Sequence, residues 1–459
     1  MKELKDIQKV YFIGIGGIGM SALARYFKSL GKDVSGYDRT ETALTQQLTA
    51  EGINIHYTDD VALVSKDADI VVYTPAIPGD HAELLYYRQH DYDLLKRSDV
   101  LGMITRSSFN ICVAGTHGKT TITTMIAHIL RDTGYGCNAF LGGIAANYNS
   151  NFWSSTNDVS VIEADEYDRS FLKLSPDIAV ISAMDADHLD IYGTAEEMEN
   201  TFIAFSGKIK KDGTLFSKYG LKRNDELKGD KHFTYSQQNE NADVYATNIR
   251  INNGAYIFDI QLPEKSISDV NLYMGGLHNV ENVSVAIAIA LELGIADEKI
   301  KAAVANFKGV KRRFEYIIPA DNDSRIVYVD DYAHHPAELE ALLSGAKSLF
   351  PEKKCTVIFQ PHLFSRTKDF ADEFAASLDL ADEIVLLPIY PARELPMEGV
   401  TSEMILNRMK NSGKSLKSKE ELMDWVENTY KQNKNALLIT AGAGDIDKLI
   451  EPIKKVITA

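Results

Sequence analysis

A short polar segment between an apolar run and a helical pattern has the residue types of a phosphate-binding loop. Ile111 to Ala114 favours a buried strand, and the segment after it consists of Gly115, Thr116, His117, Gly118, Lys119, Thr120 and Thr121. The backbone N–H groups of such a loop and of the following helix N-terminus point at an anion. Lys119 can add a charge for the outer phosphates, and the Thr120 hydroxyl can bind the accompanying Mg²⁺. The segment therefore predicts a site for a nucleoside triphosphate.

The loop departs from the strict Walker A pattern, because Val113 stands where that pattern has its first glycine. An alternative is a glycine turn that opens an ordinary helix. The Gly-Lys-Thr-Thr run directly after an apolar strand favours the phosphate site.

A second glycine pattern lies near the start of the chain. The apolar run Val10 to Ile13 leads into Gly14-Ile15-Gly16-Gly17-Ile18-Gly19, a helical pattern follows, and Asp38 comes about 20 residues later. This is the order of a dinucleotide-binding fingerprint, in which an acid binds ribose hydroxyls. Alternatively, the glycines only allow a helix to pack on a strand, and Asp38 caps a helix or turn. The pattern favours a site for a nucleotide diphosphate.

Acidic residues follow two predicted strands of the central part of the chain. The strand Val159 to Ala164 is followed by Asp165, Glu166 and Asp168, with Glu163 near its end, and the strand Ile178 to Met184 leads to Asp185-Ala186-Asp187-His188. Ligands of open α/β sheets gather at the carboxyl ends of strands. Mg²⁺ needs only Thr120 and one carboxylate besides phosphate oxygens, and a His fits a second metal position. Most of these acids could instead be helix caps and solvated charges.

Later segments supply further polar groups. His278 and Asn282 lie four residues apart beside a strongly apolar helix, Val283 to Leu293, where an amide could read an adenine edge or simply be a first-turn polar residue. The strands Ile326 to Val329 and Cys355 to Gln360 each lead into a cluster rich in His and charged residues.

Alternating strand and helix patterns recur along the whole chain, so the fold class is α/β. Polar segments near residues 106 and 313 divide it into three predicted domains, at 1–106, 107–313 and 314–459.

Composition limits the class of protein. The 459 residues carry a net charge of −16, which argues against a nucleic-acid partner because phosphate backbones reward clustered Lys and Arg. Three cysteines without metal spacing indicate buried thiols in a reducing compartment. No apolar run approaches the ~18 residues of a membrane span. We expect a cytoplasmic protein without a membrane partner.

Eight motifs together resemble the Mur ligases, the ATP-dependent amide-forming enzymes of peptidoglycan synthesis. They cover essentially the whole chain: GIGGIGMS (14–21), GTHGKTT (115–121), EADEYD (163–168), DH (187–188), HNVEN (278–282), RRF (312–314), DDYAHHP (330–336) and QPHLFSRT (360–367). The resemblance implies a Rossmann-like N-terminal domain, a central P-loop ATPase-like domain and a C-terminal Rossmann-like domain. It is closest to the members that join L-alanine to the lactyl carboxylate of UDP-N-acetylmuramate through an acyl phosphate, with ATP and Mg²⁺, and we expect a monomer or weak homodimer.

The resemblance also implies roles for individual residues. Gly16, Gly17 and Gly19 would lie at the pyrophosphate, with Asp38 and Thr74 as neighbours. Lys119 would bind ATP phosphates, Thr120 and Glu166 one Mg²⁺, and His188 a second metal. The remaining implied positions are His278, Asn282 and Asp331 at adenine and ribose, Arg313 at a phosphate, and Tyr332, His334, His362 and Arg366 at the amino acid.

Two features of the chain depart from the pattern of its relatives. Leu363 stands where many alanine-adding enzymes carry Arg, which leaves Arg366 as the cation for the alanine carboxylate. No lysine is matched to the carbamylated lysine of several relatives.

Three other functions are alternatives. A ligase that reattaches recycled tripeptide to the same sugar nucleotide shares several motifs. An NAD-dependent oxidoreductase would leave the second loop and the acids unexplained. A binding-only sensor is disfavoured by intact Lys119, Thr120, Glu166 and His188. His334 or a nearby carboxylate is the candidate base for the amine.

Overall fold

The computed structural model describes residues 2–185, 189–252, 254–320, 325–392 and 394–459, without the side chains of residues 189 and 190. The predicted metal position His188 therefore lies outside the described residues. The chain forms two compact units. The first comprises Met1–Thr247, Ile260–Ile267 and Glu281–Val304, and the second comprises Asn248–Asp259, Ser268–Val280 and Ala305–Ala459.

The N-terminal part of the first unit is a five-stranded parallel sheet in the order β3-β2-β1-β4-β5. Its strands are β1 (Lys9–Ile13), β2 (Asp33–Tyr37), β3 (Asn54–His56), β4 (Ile70–Tyr73) and β5 (Leu94–Lys96). Its helices are α1 (Ile18–Ser29), α2 (Ala43–Ala50), α3 (Ala82–Gln89) and α4 (Arg97–Ser107). Strand order reverses at β1, so the first glycine loop, which follows β1, lies at a position where α/β sheets bind ligands.

A second sheet has ten strands in the order β15-β14-β13-β12-β11-β10-β6-β9-β7-β8. Its strands are β6 (Phe109–Ala114), β7 (Asn138–Ala145), β8 (Ser150–Trp153), β9 (Val159–Glu163), β10 (Ile178–Ile181), β11 (Thr214–Lys218), β12 (Lys231–Ser236), β13 (Val244–Asn252), β14 (Ala255–Gln261) and β15 (Ser266–Leu272). The accompanying helices are α5 (Lys119–Asp132), α6 (Leu189–Tyr192), α7 (Ala195–Ser206), α8 (His278–Glu292) and α9 (Asp297–Asn306). The parallel neighbours of β6 are β9 and β10, whose carboxyl ends therefore flank the phosphate loop.

A third sheet, in the second unit, has the order β16-β17-β21-β18-β19-β20, and only β16 runs antiparallel to its neighbour. Its strands are β16 (Glu315–Ile318), β17 (Ile326–Asp331), β18 (Lys354–Phe359), β19 (Glu383–Leu386), β20 (Lys414–Leu416) and β21 (Ala436–Ala441). Its helices are α10 (Pro336–Leu349), α11 (Phe364–Asp369), α12 (Ala371–Leu378), α13 (Glu403–Leu406), α14 (Lys419–Asn428) and α15 (Asp447–Thr458).

Helix α1 is attached to the β7–β8 hairpin by a buried polar network. The Asn151 side chain donates to the Ile18 carbonyl at 2.5 Å and to Ser21 Oγ at 2.9 Å. Arg25 donates to Asn151 and forms a two-pronged ion pair with Glu51. Because a buried polar group without its partner is costly, this network allows few alternative positions of α1 on the hairpin.

The α/β fold class is confirmed, and three details differ from the sequence patterns. Arg106 and Ser107 belong to the last turn of α4 rather than to a linker, and the strand predicted to reach Met184 ends at Ile181. Helix α8 begins at His278, before the apolar run that predicted it, so Asn282 lies one turn into it. The domain boundaries at residues 106 and 313 stay predictions. Among the described residues, no helix is long and apolar enough to cross a membrane.

Candidate active site

The phosphate loop is held in place by the residues that follow β10. Thr116 N–H donates to the Ala183 carbonyl at 3.2 Å, and the Ser182 hydroxyl donates to the His117 carbonyl. A β-carbon on Gly115 would lie 2.2 Å from Ser182 Oγ, so only glycine fits there. Gly118 has φ +82° at the start of α5, which glycine adopts without strain. The first N–H groups of α5, which have no partner within the helix, therefore follow directly on this loop, as a phosphate cradle requires.

Lys119 lies between a backbone carbonyl and a buried carboxylate. Its Nζ is 2.7 Å from the Gly115 carbonyl and 2.7 Å from Glu166 Oε1. The Glu166 side chain is only 2% exposed. Its other oxygen, Oε2, is buried and accepts no hydrogen bond from the part of the chain that the structure describes. A buried carboxylate oxygen left without a donor is costly and indicates a site for a further ligand.

Thr120 contacts a different acid. Its hydroxyl donates to Glu163 Oε1 at 3.0 Å, and Gly142 N–H donates to Glu163 Oε2 at 3.0 Å. Burial raises the pKa of the Glu163 carboxyl, although the Thr120 hydrogen bond and the Lys119 charge oppose this. The structure therefore brings Thr120 together with Glu163 and Lys119 with Glu166.

The family resemblance implies Glu166 as the metal ligand and gives no role to Glu163 of the same acidic segment. The signal that identifies it is strand register, because Val113 of β6 pairs with Glu163 of β9. The residue that ends β9 therefore lies beside the strand that runs into the phosphate loop. Sequence spacing alone could not identify this, because it requires knowing that β6 and β9 are neighbours.

The donor set around the loop fits Mg²⁺. A hydroxyl and carboxylates are the hard oxygen ligands that this ion prefers, and it keeps several waters when phosphates supply further oxygens. Within the described ranges, no three His, Cys, Asp or Glu side chains form a metal site by themselves. Mg²⁺ bound here together with a nucleotide would share its coordination sphere with phosphate oxygens. The second metal position, His188, stays a prediction.

Asn282 lies against the phosphate loop, and His278 starts the same helix. A β-carbon on Gly118 would lie 3.2 Å from Asn282 Oδ1. The His278 ring covers Gly276, where a β-carbon would lie 2.4 Å from His278 Cε1. Their adenine-binding roles stay predictions.

The first glycine loop gathers the residues predicted around it. Gly16 N–H donates to Asp38 Oδ2 at 2.7 Å, and Thr74 packs against Gly14. Gly17 begins α1 without a side-chain cap. One Asp38 oxygen is thus engaged in holding the loop, and its role at a ribose stays a prediction.

A group of basic and aromatic side chains lies at the carboxyl ends of β17 and β18 in the second unit. The His334 ring is 5.2 Å from the Tyr332 ring and 6.0 Å from the His362 ring. Arg366 Nη1 is 3.5 Å from the His334 carbonyl. Burial, helped by the Arg366 charge, lowers the pKa of His362. The four residues predicted to line the amino-acid pocket therefore lie together.

Asp331 and the arginines before β16 lie beside this group. Asp331 accepts from Phe314 N–H and Ala333 N–H, both at 2.7 Å, and burial raises its pKa to about 6. Arg312 and Phe314 both have positive φ, a conformation that side chains other than glycine rarely adopt. Arg313 lies between them, and its phosphate role stays a prediction.

Comparison with known proteins gives one consistent result. The chain matches the Mur ligase family catalytic domain over residues 9–109, the Mur ligase middle domain over 113–290 and the glutamate ligase domain of Mur ligases over 312–444. It is 46% identical to a UDP-N-acetylmuramate–L-alanine ligase of Flavobacterium johnsoniae, over 99% of both chains. It is 49% identical to the protein of that name from Parabacteroides distasonis, over 99% of this chain and 98% of that one.

Solved structures agree. The UDP-N-acetylmuramate–alanine ligase of Thermotoga maritima superimposes with a TM-score of 0.79 at 29% identity, covering 98% of each chain. A murein peptide ligase of Psychrobacter arcticus shares the fold, with a TM-score of 0.64 at 24% identity. With all three domains matched and high identity over its whole length, the chain belongs to the Mur ligase family.

Proposed function

We propose that this protein is an ATP-dependent ligase that joins L-alanine to the lactyl carboxylate of UDP-N-acetylmuramate. Relatives that share 46% and 49% of its residues over the whole chain carry that activity in their names. The observation that carries the proposal is the phosphate loop with Lys119 on Glu166 and Thr120 on Glu163. That arrangement supplies a charge for phosphates and oxygen ligands for their metal ion.

The chemistry needs activation of a carboxylate rather than an enzyme nucleophile. A carboxylate oxygen attacks the γ-phosphorus of ATP, and ADP leaves with the electrons of the broken P–O bond. The alanine nitrogen then attacks the acyl carbon, and phosphate leaves as the amide forms. Catalysis is positioning and charge neutralisation, as in other phosphoryl transfers.

The phosphate loop and the residues around it have distinct roles in this scheme. The backbone of residues 115–121 binds the phosphates, and Lys119 moves its charge from Glu166 toward the transferred group. Thr120 with Glu163 would hold Mg²⁺, with Glu166 and His188 as further ligand candidates. The ion would neutralise charge on the phosphate oxygens. Arg313 is the candidate for a second phosphate contact.

Alanine would bind in the second unit. Arg366 suits its carboxylate, because a guanidinium binds a carboxylate through two parallel hydrogen bonds. His362, with its lowered pKa, is neutral near pH 7 and adds no competing charge. His334 is the candidate base for the ammonium proton, with Tyr332 on the exposed side of the pocket.

The other substrate regions follow the sequence predictions. Gly16, Gly17 and Gly19 would contact the pyrophosphate of the sugar nucleotide beside Asp38 and Thr74. His278, Asn282 and Asp331 would contact the adenosine of ATP. We place the protein in the cytoplasm, a reducing compartment, which the three free, buried cysteines among the described residues support. A monomer or weak homodimer stays a prediction.

Phosphate release from ATP with UDP-N-acetylmuramate and a panel of amines tests the proposal. Alanine should support turnover, and glycine, serine and the recycled tripeptide should support less. Turnover with tripeptide but not with alanine would overturn the proposed amine and indicate the recycling ligase.

A further inference from the structure

A small cavity within the first unit connects the first glycine loop with the acidic end of β9. Its volume is about 130 Å³. Ile18, Ala22, Leu101 and Phe140 form apolar walls, while Arg97 and Glu163 are among its polar lining residues. The cavity therefore reaches from the helix of one predicted phosphate site to Glu163, the candidate metal-binding acid of the other.

Arg97 covers Gly19 at the loop end of this cavity. A β-carbon on Gly19 would lie 2.3 Å from Arg97 Nη1 and 2.9 Å from its Cδ, so only glycine allows the guanidinium to pass there. Arg97 is the first residue of α4, which the sequence patterns did not identify as a helix. Its proximity to the glycine loop was therefore not visible from sequence.

The present partner of Arg97 is an exchangeable one. Nη2 donates to Asp165 Oδ2 at 2.9 Å, and the two side chains are 28% and 39% exposed. Ion pairs this accessible contribute little to stability. An arriving anion can therefore replace Asp165 at low cost.

A carboxylate crossing this cavity needs a cation. It would approach the carboxyl groups of Glu163 and Asp165, which offer it no favourable charge. Among the described residues that line the cavity, Arg97 alone carries a positive charge. A guanidinium fork matches a carboxylate better than an ammonium does. The apolar walls suit the short hydrocarbon part of a lactyl group.

We infer that Arg97 binds the lactyl carboxylate of the sugar nucleotide, exchanging Asp165 for it, and so selects nucleotides that carry this group. The inference rests on the proposed function, which requires that carboxylate to reach the phosphate loop while the pyrophosphate lies at Gly16 to Gly19. Arg97 is then a specificity residue for the acceptor rather than a pyrophosphate contact.

Binding of two sugar nucleotides, measured by calorimetry without ATP or alanine, tests this. UDP-N-acetylmuramate carries the lactyl group, and UDP-N-acetylglucosamine is the same molecule without it. The wild type should prefer the first. Arg97→Met should reduce that preference about 10- to 100-fold, the range for a lost charged hydrogen bond, with binding of UDP-N-acetylglucosamine unchanged.

Matched variants complete the design. Arg88→Met removes an exposed arginine from α3 and should leave the preference unchanged. Asp165→Asn removes the competing carboxylate and should keep or increase the preference. If Arg97→Met does not melt cooperatively, Arg97→Gln carries the test, because it keeps an N–H donor without the charge.

Two results would overturn the inference. If Arg97→Met loses affinity equally for both nucleotides, Arg97 is a pyrophosphate contact. If the preference for UDP-N-acetylmuramate over UDP-N-acetylglucosamine is unchanged, Arg97 has no role in selecting the acceptor. A wild type without any preference would instead refute the proposed acceptor itself. A wild type with the preference but no turnover with alanine would refute only the proposed amine.

Discussion

Lys119 pairs with two acceptors beside the phosphate loop. Its ammonium bridges the Gly115 carbonyl and the Glu166 carboxylate, both at 2.7 Å. Phosphates bound by the loop would place more negative charge beside the Lys119 ammonium, which would then turn from Glu166 toward them. This position suits the proposed role of Lys119, which is to stabilise charge on the phosphoryl oxygens in the transition state.

Lys119→Ala should remove this stabilisation while leaving the sugar-nucleotide site intact. We expect kcat/KM to fall on the order of 10²–10³-fold, the usual cost of one well-placed donor. Affinity for UDP-N-acetylmuramate should be nearly unchanged in calorimetry. Lys208→Ala, at an exposed lysine, is the control. Activity of Lys119→Ala within a few-fold of wild type would contradict the assignment.

Glu83 gives a pH dependence that is separate from catalysis. It is fully buried, accepts from the Tyr11 hydroxyl at 2.7 Å, and lies 3.5 Å from His56 Nε2, with Asp59 and Asp60 nearby. Burial raises its pKa from 4.5 to about 7. The fold thus favours the protonated acid. The contribution of the protonated Glu83 to the free energy of unfolding is complete below pH 4.5 and is lost as the pH rises through about 7.

Glu83→Gln should therefore be stabilising above neutral pH. The Tm of the variant minus that of the wild type should be more positive at pH 8 than at pH 5. The corresponding gain in the free energy of unfolding should be at most about 3 kcal/mol. Glu340→Gln, at an exposed acid, should show no such trend. A difference in Tm that does not change with pH would refute the account of Glu83.

At the scale of elements, the β7 strand fixes the acid that faces Thr120. Gly142 N–H donates to Glu163, and a β-carbon on Gly142 would lie 2.2 Å from Glu163 Oε2. The obstacle is the end of a flexible side chain, so an added methyl group would displace the carboxylate rather than the strand. The position of Glu163 thus depends on a glycine in a neighbouring strand.

Gly142→Ala should weaken metal use without unfolding the protein. We expect the Mg²⁺ concentration for half-maximal activity to rise about tenfold, in the range for lost support of a metal ligand. Gly79→Ala is the matched control, because a β-carbon there meets nothing within 4 Å. An unchanged Mg²⁺ requirement in Gly142→Ala would argue that Glu163 does not hold the ion.

Elements were easier to predict than the contacts between them. The β1 and β6 strands, both glycine loops and the start of α5 could be predicted because apolar runs and glycines are local signals. The distinction between Glu163 and Glu166 could not, because it depends on the β6–β9 register. The segment after β9 is also irregular, with positive φ at Asp168 and Arg169. Helix α4 was missed because its polar last turn resembles a linker.

At the scale of the whole molecule, an acidic chain must bind several anions. The net charge of −16 offers no general attraction for nucleotides or for the alanine carboxylate. Binding must come from local cations and helix N-termini. Lys119 and Arg97 in the first unit, and Arg313 and Arg366 in the second, would each serve one anionic group. A separate cation for each anionic group suits a ligase with three substrates.

The fate of the carboxylate oxygen tests carboxylate activation most directly. UDP-N-acetylmuramate with both lactyl carboxylate oxygens replaced by ¹⁸O is incubated with enzyme, ATP and L-alanine, and the released phosphate is analysed by mass spectrometry. Activation as an acyl phosphate predicts phosphate that carries one ¹⁸O atom for each amide formed. Amide formation with unlabelled phosphate would contradict the account.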